Sequence, residues 1–248
     1  MKKEGRRTAL ILAAGLGTRL KELTSDRPKA LVEMNGKPLL EIVIENLISQ
    51  DFNHFVINVH HFGDKIIDYV NSVSYKDVEI EISDERDFLY YTGGGILKAL
   101  PYLIDSEAVL IHNVDIFSDI DFRGYYDAFV RSDDAAWLLT QERNNKSKVV
   151  FDGRDNYMGT YNTQTKEFDG DGDLTEENKM FSFSGLHFIR PEYFLDFELK
   201  RCHVWSLYRE IAKRNRVKSE PVQYDYWFDL GTQENLKEVS EWLLSKCR

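Results

Sequence analysis

The chain has 248 residues, of which 42% are hydrophobic and 13% aromatic, and its formal net charge is −10 at pH 7. This composition excludes a disordered protein, and the acidic balance disfavours a nucleic-acid-binding one, because phosphate backbones are bound by clustered Lys and Arg. Two well-separated cysteines, Cys202 and Cys247, and the lack of any apolar stretch of about 18 residues predict a cytoplasmic protein with no membrane partner.

The first predicted element is the apolar run Thr8–Leu12, which is typical of a buried parallel strand. Small residues follow it, and Gly15 and Gly17 then allow a tight turn whose N–H groups can meet an anion. Arg19 and Lys29 place two cations near the same end of the strand, so the segment predicts a phosphate-binding loop. It lacks the third glycine of the dinucleotide-binding motif and the Gly-Lys-Ser/Thr of a P-loop.

Strands and helices alternate through the rest of the front half. The predicted strands are residues 55–59, 78–82 and 108–111, and the predicted helices have apolar faces at residues 39–48, 66–70 and 96–103. Such repeated units predict an α/β fold of three α/β/α layers around a Rossmann-like, mostly parallel twisted sheet. Ligands bind these sheets at the carboxyl ends of the strands, and the phosphate-binding loop follows one such end.

The back half is richer in strands. We predict strands at residues 135–140, 149–150, 157–161 and 180–189, an acidic loop at 168–173, and helices at 205–214 and 233–245. No low-complexity linker or internal repeat divides the chain, so the sequence predicts a single domain over residues 1–248.

Several motifs follow one another in the order of an enzyme family. They are Leu-Ala-Ala-Gly-Leu-Gly-Thr-Arg at residues 12–19, Pro-Lys-Ala-Leu at 28–31, Thr-Gly-Gly-Gly-Ile at 92–96, Asp115 after an apolar strand, Phe-Ser-Gly at 183–185 and Phe-Asp-Leu-Gly-Thr at 228–232. On these residues the chain resembles the nucleotide-sugar pyrophosphorylases (sugar-1-phosphate nucleotidyltransferases) over essentially its whole length. It is most similar to their short, single-domain group, typified by N-acetylmuramate-1-phosphate uridylyltransferase and mannose-1-phosphate guanylyltransferase.

The resemblance implies a reaction between a nucleoside triphosphate and a sugar 1-phosphate. The front half, to about residue 130, would bind the nucleotide, and the back half, from about residue 131 to 248, the sugar. We expect a monomer or a small homo-oligomer with no nucleic-acid partner.

The resemblance also implies roles for individual residues. Arg19 would grip the leaving pyrophosphate, and Lys29 would bridge the α-phosphate and the incoming sugar phosphate; both are expected at a solvent-facing mouth. Asp115 and Asp229 would hold a divalent metal, Mg²⁺. The remaining contacts would come from Leu12, Ala13, Ala14, Gly15, Gly17, Thr18 and Gly94 to the nucleotide, and from Asn113, Ser184 and Gly185 to the sugar.

Two departures from the family pattern leave the choice of base and sugar open. Val114 stands where a glycine is usual, which requires a conventional turn there, and Tyr91 stands where the short group often has a carboxylate. The glycines at 93–95 are predicted to form a turn that opens a helix and exposes backbone groups to the nucleobase or ribose. Glu85 could accept a hydrogen bond from a base, but we interpret it as an exposed loop acid.

Other patterns are not predicted to be sites. The acidic loop at 168–173 lacks the glycine and the glutamate of a calcium loop, and the His60-His61 pair has no further metal-binding companion. Two rival functions remain. Cytidylyl transfer to a non-sugar phosphate such as phosphocholine is disfavoured by residues 92–96, and a catalytically silent binding subunit has no need of the four charged residues named above.

Overall fold

A computed structural model describes residues 5–246. The front half contains β1 (Thr8–Leu12), β2 (Glu33–Met34), β3 (Lys37–Pro38), α1 (Leu39–Ile48), β4 (His54–Val59), α2 (Gly63–Ser72), β5 (Glu79–Asp84), α3 (Tyr91–Leu103), β6 (Val109–Asn113), β7 (Ile116–Ser118) and α4 (Phe122–Val130). The back half contains β8 (Ala136–Gln141), β9 (Ser147–Phe151), β10 (Tyr157–Asn162), β11 (Phe168–Gly170), β12 (Lys179–Ile189), α5 (Val204–Ala212), β13 (Val217–Pro221), β14 (Trp227–Asp229) and α6 (Gln233–Lys246).

The central part of the sheet has the strand order β5-β4-β1-β6-β12-β8-β13. Every pairing in it is parallel except the two that β12 makes. From β12 the strands β9, β10 and β11 continue as an antiparallel arm. The predicted mostly parallel sheet is therefore confirmed, with the antiparallel pairs confined to the back half.

Helices cover both faces of the sheet because the buried strands are apolar on both sides. In β1, Ala9 and Ile11 join the core cluster that contains α1, α2 and α4, whereas Leu10 joins the cluster that contains α3 and α5. The three α/β/α layers are thus confirmed. A third cluster joins Leu20, from the segment after the phosphate-binding loop, to Leu230 and to α6. This contact packs the C-terminal helix against the segment that follows the phosphate-binding loop.

The parallel register sets the position of the candidate site. Leu12 is paired with Asn58 on one side and with Asn113 on the other, so β1, β4 and β6 end side by side. The segments that follow these strands must then leave from one edge of the sheet. They include the phosphate-binding loop and Asp115.

Some local predictions were wrong. Residues 168–170 of the predicted acidic loop form β11, which pairs with β10. Residues 93–95 lie inside α3 and are buried, so the exposed glycine turn does not exist. The helix α4 and the strand β13 were not predicted. Val114 has no positive φ, in agreement with the conventional turn expected there.

The division of the chain into a nucleotide half and a sugar half stays a prediction. In residues 5–246, no helix has the length and apolar character needed to cross a membrane. The Cys202 thiol is free, and Cys247 lies outside the described residues.

Candidate active site

A cavity of about 390 Å³ opens at the carboxyl edge of the sheet. Asn58, Leu89, Tyr91, Thr92 and His203 contribute to its wall without having been predicted as site residues. Most of the predicted residues also line it, namely Leu12, Ala13, Ala14, Gly15, Gly17, Thr18, Arg19, Lys29, Asn113 and Asp115. Gly94, Ser184, Gly185 and Asp229 do not line the cavity, although Gly231, two residues after Asp229, does.

The side chain of Asn58, in β4, anchors the start of the phosphate-binding loop. This side chain is buried, and its Oδ1 accepts hydrogen bonds from the backbone N–H groups of Ala13 (2.7 Å) and Ala14 (3.2 Å). Its Nδ2 donates to Glu85 Oε1 at 2.7 Å. Asn58 therefore fixes the start of the loop from a neighbouring strand. The only sequence signal was a polar residue at the end of a buried strand.

The prediction that Glu85 is an exposed loop acid was wrong. Glu85 is completely buried, and its Oε2 accepts from the Tyr90 backbone N–H at 3.3 Å while Oε1 accepts from Asn58. Burial raises the pKa of its carboxyl group. Its position after β5, next to β4, explains the error, because the loop that carries it turns inward under the site.

The turn at Gly17 requires glycine. Its φ is +65°, and a side chain there would come within 2.9 Å of the Thr24 methyl group and 3.1 Å of Lys29 Cβ. The Gly17 carbonyl also accepts from Leu20 N (2.9 Å) and from the Thr24 hydroxyl (3.1 Å). This packing joins the loop to the segment that carries Lys29, so the two predicted cations are held in one structural unit.

Arg19 and Lys29 both face the predicted carboxylates, but they differ in exposure. The Arg19 side chain is 60% exposed, and its guanidinium lies 3.8 Å from Asp115 Oδ2 and 3.7 Å from Asp229 Oδ2. Lys29 is only 12% exposed and forms an ion pair with Asp115 Oδ2. The expected solvent-facing mouth is thus confirmed for Arg19 and wrong for Lys29. The lysine is largely shielded from solvent, although it lines the cavity, because it packs against Gly17 of the loop.

The two aspartates meet because β14 pairs with β7 just after β6. The Leu230 N–H donates to the Asp115 carbonyl (2.8 Å), which brings Asp229 beside Asp115. Burial acts to raise the pKa of Asp115, but the Lys29 ammonium outweighs it and holds that pKa below its usual range. Burial, and then the charge of Asp115, raise the pKa of Asp229. The site therefore contains two adjacent carboxylates and two cations, in which Asp115 is paired closely with Lys29 while Asp229 has only a 3.7 Å contact with Arg19.

The predicted sugar residues are only partly brought together. Asn113 lines the cavity, and Gly185 lies next to it at an irregularity in β12. Ser184 is buried, and its carbonyl accepts from Trp227 Nε1 at 3.1 Å. Gly94 faces away from the cavity, because a side chain there would collide with the Lys200 carbonyl. Substrate contacts of Ser184, Gly185 and Gly94 stay predictions.

The patterns that we did not interpret as sites have ordinary structural roles. Within residues 5–246, no group of three or more His, Cys, Asp or Glu side chains is arranged to hold a metal ion. His60 Nδ1 is hydrogen-bonded to the Glu85 carbonyl (2.7 Å). Tyr226, which precedes β14, packs on Phe117, Phe228 and Trp242.

Comparison with known families agrees with this geometry. A model of the MobA-like NTP transferase domain matches residues 9–159 of the chain, which include the phosphate-binding loop, Lys29 and Asp115. The chain belongs to this family. The match covers the front half from β1 onward and reaches into β10.

Named relatives extend the likeness into the back half. An N-acetylmuramate alpha-1-phosphate uridylyltransferase from Neisseria meningitidis serogroup B is 30% identical over 236 residues, which is 93% of this chain and 96% of that protein. Another, from Caulobacter vibrioides, is 43% identical over 109 residues, 43% of this chain and 45% of that protein. The similarity to sugar-1-phosphate nucleotidyltransferases inferred from the motifs is therefore confirmed.

Solved structures share the fold. A putative glucose-1-phosphate thymidylyltransferase from Bacillus anthracis superimposes with a TM-score of 0.77 at 15% identity, over 95% of this chain and 94% of that one. At this identity the likeness concerns the architecture, which is the Rossmann-like fold of nucleotide-diphospho-sugar transferases.

Proposed function

We propose that this protein transfers a nucleotidyl group from a nucleoside triphosphate to a sugar 1-phosphate. An oxygen of the sugar phosphate attacks the α-phosphorus, the new P–O bond forms, and pyrophosphate leaves with the electrons of the broken P–O bond. The observation that carries the proposal is the convergence of Arg19, Lys29 and Asp115 on one cavity beside the phosphate-binding loop. Because both reactants are anions, charge neutralisation and alignment suffice, and no covalent nucleophile is needed.

The exposure of the two cations supports different tasks. Arg19 stands at the mouth, where the outer phosphates of the nucleotide would lie, and its fork can hold two oxygens of the departing pyrophosphate. Lys29 is held deeper, against Asp115, where a point charge would lie between the α-phosphate and the sugar phosphate. Asn113, Ser184 and Gly185 are the residues we propose for the sugar.

The carboxylate pair fits a divalent cation, for which Mg²⁺ is our proposal. Mg²⁺ typically takes one or two carboxylates together with substrate phosphate oxygens and water. Asp229 Oδ1 accepts from the Gly231 N–H (2.8 Å), while Oδ2 has a contact of 3.7 Å with Arg19. A bound cation would offset the repulsion between the two carboxylates, and when present it would stabilise the charge on the reacting phosphates.

Asp229→Asn should raise the Mg²⁺ concentration needed for half-maximal activity by about tenfold or more, since one anionic ligand becomes neutral. A chelator should abolish turnover, and added Mg²⁺ should restore it. Titrations of activity against Mg²⁺ would measure this, with the exposed Asp173→Asn as control. A Mg²⁺ requirement unchanged in Asp229→Asn would exclude this carboxylate as a ligand.

The proposed reaction is tested by measuring pyrophosphate release from the common nucleoside triphosphates with a panel of sugar 1-phosphates and with phosphocholine. We expect turnover with a sugar phosphate and intersecting double-reciprocal plots. Labelled pyrophosphate should not exchange into the triphosphate without an acceptor, because transfer is direct. Turnover with phosphocholine alone would favour the rival transferase, and triphosphate binding without any turnover would favour a silent subunit. The cytoplasmic location and the monomer or small homo-oligomer stay predictions.

A further inference from the structure

The two ends of the cavity differ in chemistry. Arg19, Lys29 and Asp115 are charged and lie together at one end, whereas Leu89, Tyr91, Thr92 and His203 form an apolar and aromatic wall elsewhere. A nucleoside triphosphate has the same polarity, with a charged tail and an uncharged aromatic base. If the phosphates meet the cations, as the proposed function requires, the base lies against this second wall.

Tyr91 is the unusual residue of that wall. It is the first residue of α3, it has a φ of +62°, and it is 38% exposed. A tyrosine in left-handed backbone is strained and persists only where its surroundings hold it. Here His203 stacks on the ring at 4.8 Å with an interplanar angle of 7°, and Arg201 lies 4.1 Å from the ring centre. Arg201 also donates a hydrogen bond to the Tyr91 hydroxyl.

These contacts fix the Tyr91 ring in the cavity wall. The whole cavity, about 390 Å³, is near the lower end of the ~300–1,000 Å³ typical of ligand sites, and it has to take base, ribose and phosphates. A one-ring pyrimidine base fits against this wall with less displacement of the wall's side chains than a two-ring purine base. The Thr92 hydroxyl accepts a hydrogen bond from the Val204 N–H at 3.1 Å, which holds this residue in the wall.

The carboxylates of the site are all placed away from this wall or occupied. Guanine presents N1–H and N2–H donors, which proteins commonly pair with a carboxylate. Glu85 is completely buried, and its two carboxylate oxygens accept hydrogen bonds from the Asn58 side chain and from the Tyr90 N–H. Among the described residues that line the cavity, the one carboxylate is Asp115, which is paired with Lys29 at the charged end.

We propose that Tyr91, held by His203 and Arg201, is a specificity-determining residue that makes the site select pyrimidine over purine nucleoside triphosphates. The inference rests on the proposed function only for the placement of the phosphates. The preference for pyrimidines follows from the wall that contains Tyr91. Removing the Tyr91 ring should therefore admit the larger purine bases.

Binding of UTP, CTP, GTP and ATP with Mg²⁺, measured by calorimetry without any sugar phosphate, tests this directly. The unmodified protein should bind a pyrimidine nucleotide at least about tenfold more tightly than either purine nucleotide. Tyr91→Gly should reduce this ratio to within about threefold, and Tyr91→Phe, which keeps the ring, should preserve most of it. Glycine suits a φ of +62°, so Tyr91→Gly is expected to fold. The exposed Tyr102→Ala is the matched control.

A purine preference in the unmodified protein, or an unchanged ratio in Tyr91→Gly, would overturn the proposal. The base preference and the proposed reaction can fail separately, because the preference is tested by nucleotide binding and the reaction by pyrophosphate release. A pyrimidine preference that depends on Tyr91, without turnover on any acceptor, would support the role of Tyr91 in base selection and would refute the proposed transfer reaction.

Discussion

Replacing either active-site cation by alanine should lower turnover by about a hundredfold or more, but the two variants should differ in stability. One preorganised group that stabilises developing charge is worth about 10²–10³ in turnover. Arg19 is largely exposed and only loosely paired, so Arg19→Ala should leave the free energy of unfolding almost unchanged. Lys29→Ala removes the partner of a buried carboxylate, which typically costs about 3–5 kcal/mol.

Turnover at saturating substrates and urea unfolding, measured on the same preparations, would separate the two effects. Arg27→Ala is the matched control, because Arg27 is an exposed cation on the same segment that pairs with Asp26. It should keep normal turnover. If Arg19→Ala or Lys29→Ala retained near-normal turnover, the proposed role of that residue in catalysis would be wrong.

The sequence predicted those parts of the site that are encoded locally. An apolar strand, small residues, a glycine turn and two cations lie within the first 29 residues, and their order alone indicates a phosphate-binding loop. The parallel part of the sheet around the site was predictable for the same reason, since β1, β4 and β6 are short, largely apolar runs. Gly17 is required by backbone geometry, which a sequence motif records directly.

What the sequence did not predict depends on contacts between distant segments. The glycines at 93–95 suggested a turn, because glycine is unfavourable in helices. They lie in α3 because the chain at 200–204 packs directly against them, and Gly94 has no room for a side chain. Glu85 looked like a loop acid, and nothing in its neighbourhood indicated its bond to Asn58. The stack of Tyr91 on His203 joins residues from the two halves of the chain.

Asn58→Ala should destabilise the protein and weaken triphosphate binding, although Asn58 has no predicted catalytic role. The change leaves the backbone N–H groups of Ala13 and Ala14 and the Glu85 carboxylate without their buried partner. At about 1–3 kcal/mol for each orphaned group, we expect a loss of roughly 3 kcal/mol or more. That corresponds to a fall in Tm of about 6–12 °C for a chain of this size.

The functional effect should appear in KM rather than kcat, because Asn58 positions the loop and does not touch the reacting atoms. Below the unfolding transition, KM for the triphosphate should rise about tenfold while kcat changes much less. The exposed Asn144→Ala is the control and should alter neither Tm nor KM. An equal fall in kcat with unchanged KM would contradict a positioning role.

A charge exchange tests whether Asn58 and Glu85 act as one unit. Asn58→Asp keeps an acceptor for the two loop N–H groups, but it places a second buried carboxylate against Glu85, in place of the donor that now lies at 2.7 Å. Like charges so close are strongly unfavourable, so this variant should lose stability. Adding Glu85→Gln restores a donor across the contact and leaves one buried charge instead of two. The double variant should therefore recover Tm and KM toward the unmodified values, whereas no recovery would mean that the loop is not held through this pair.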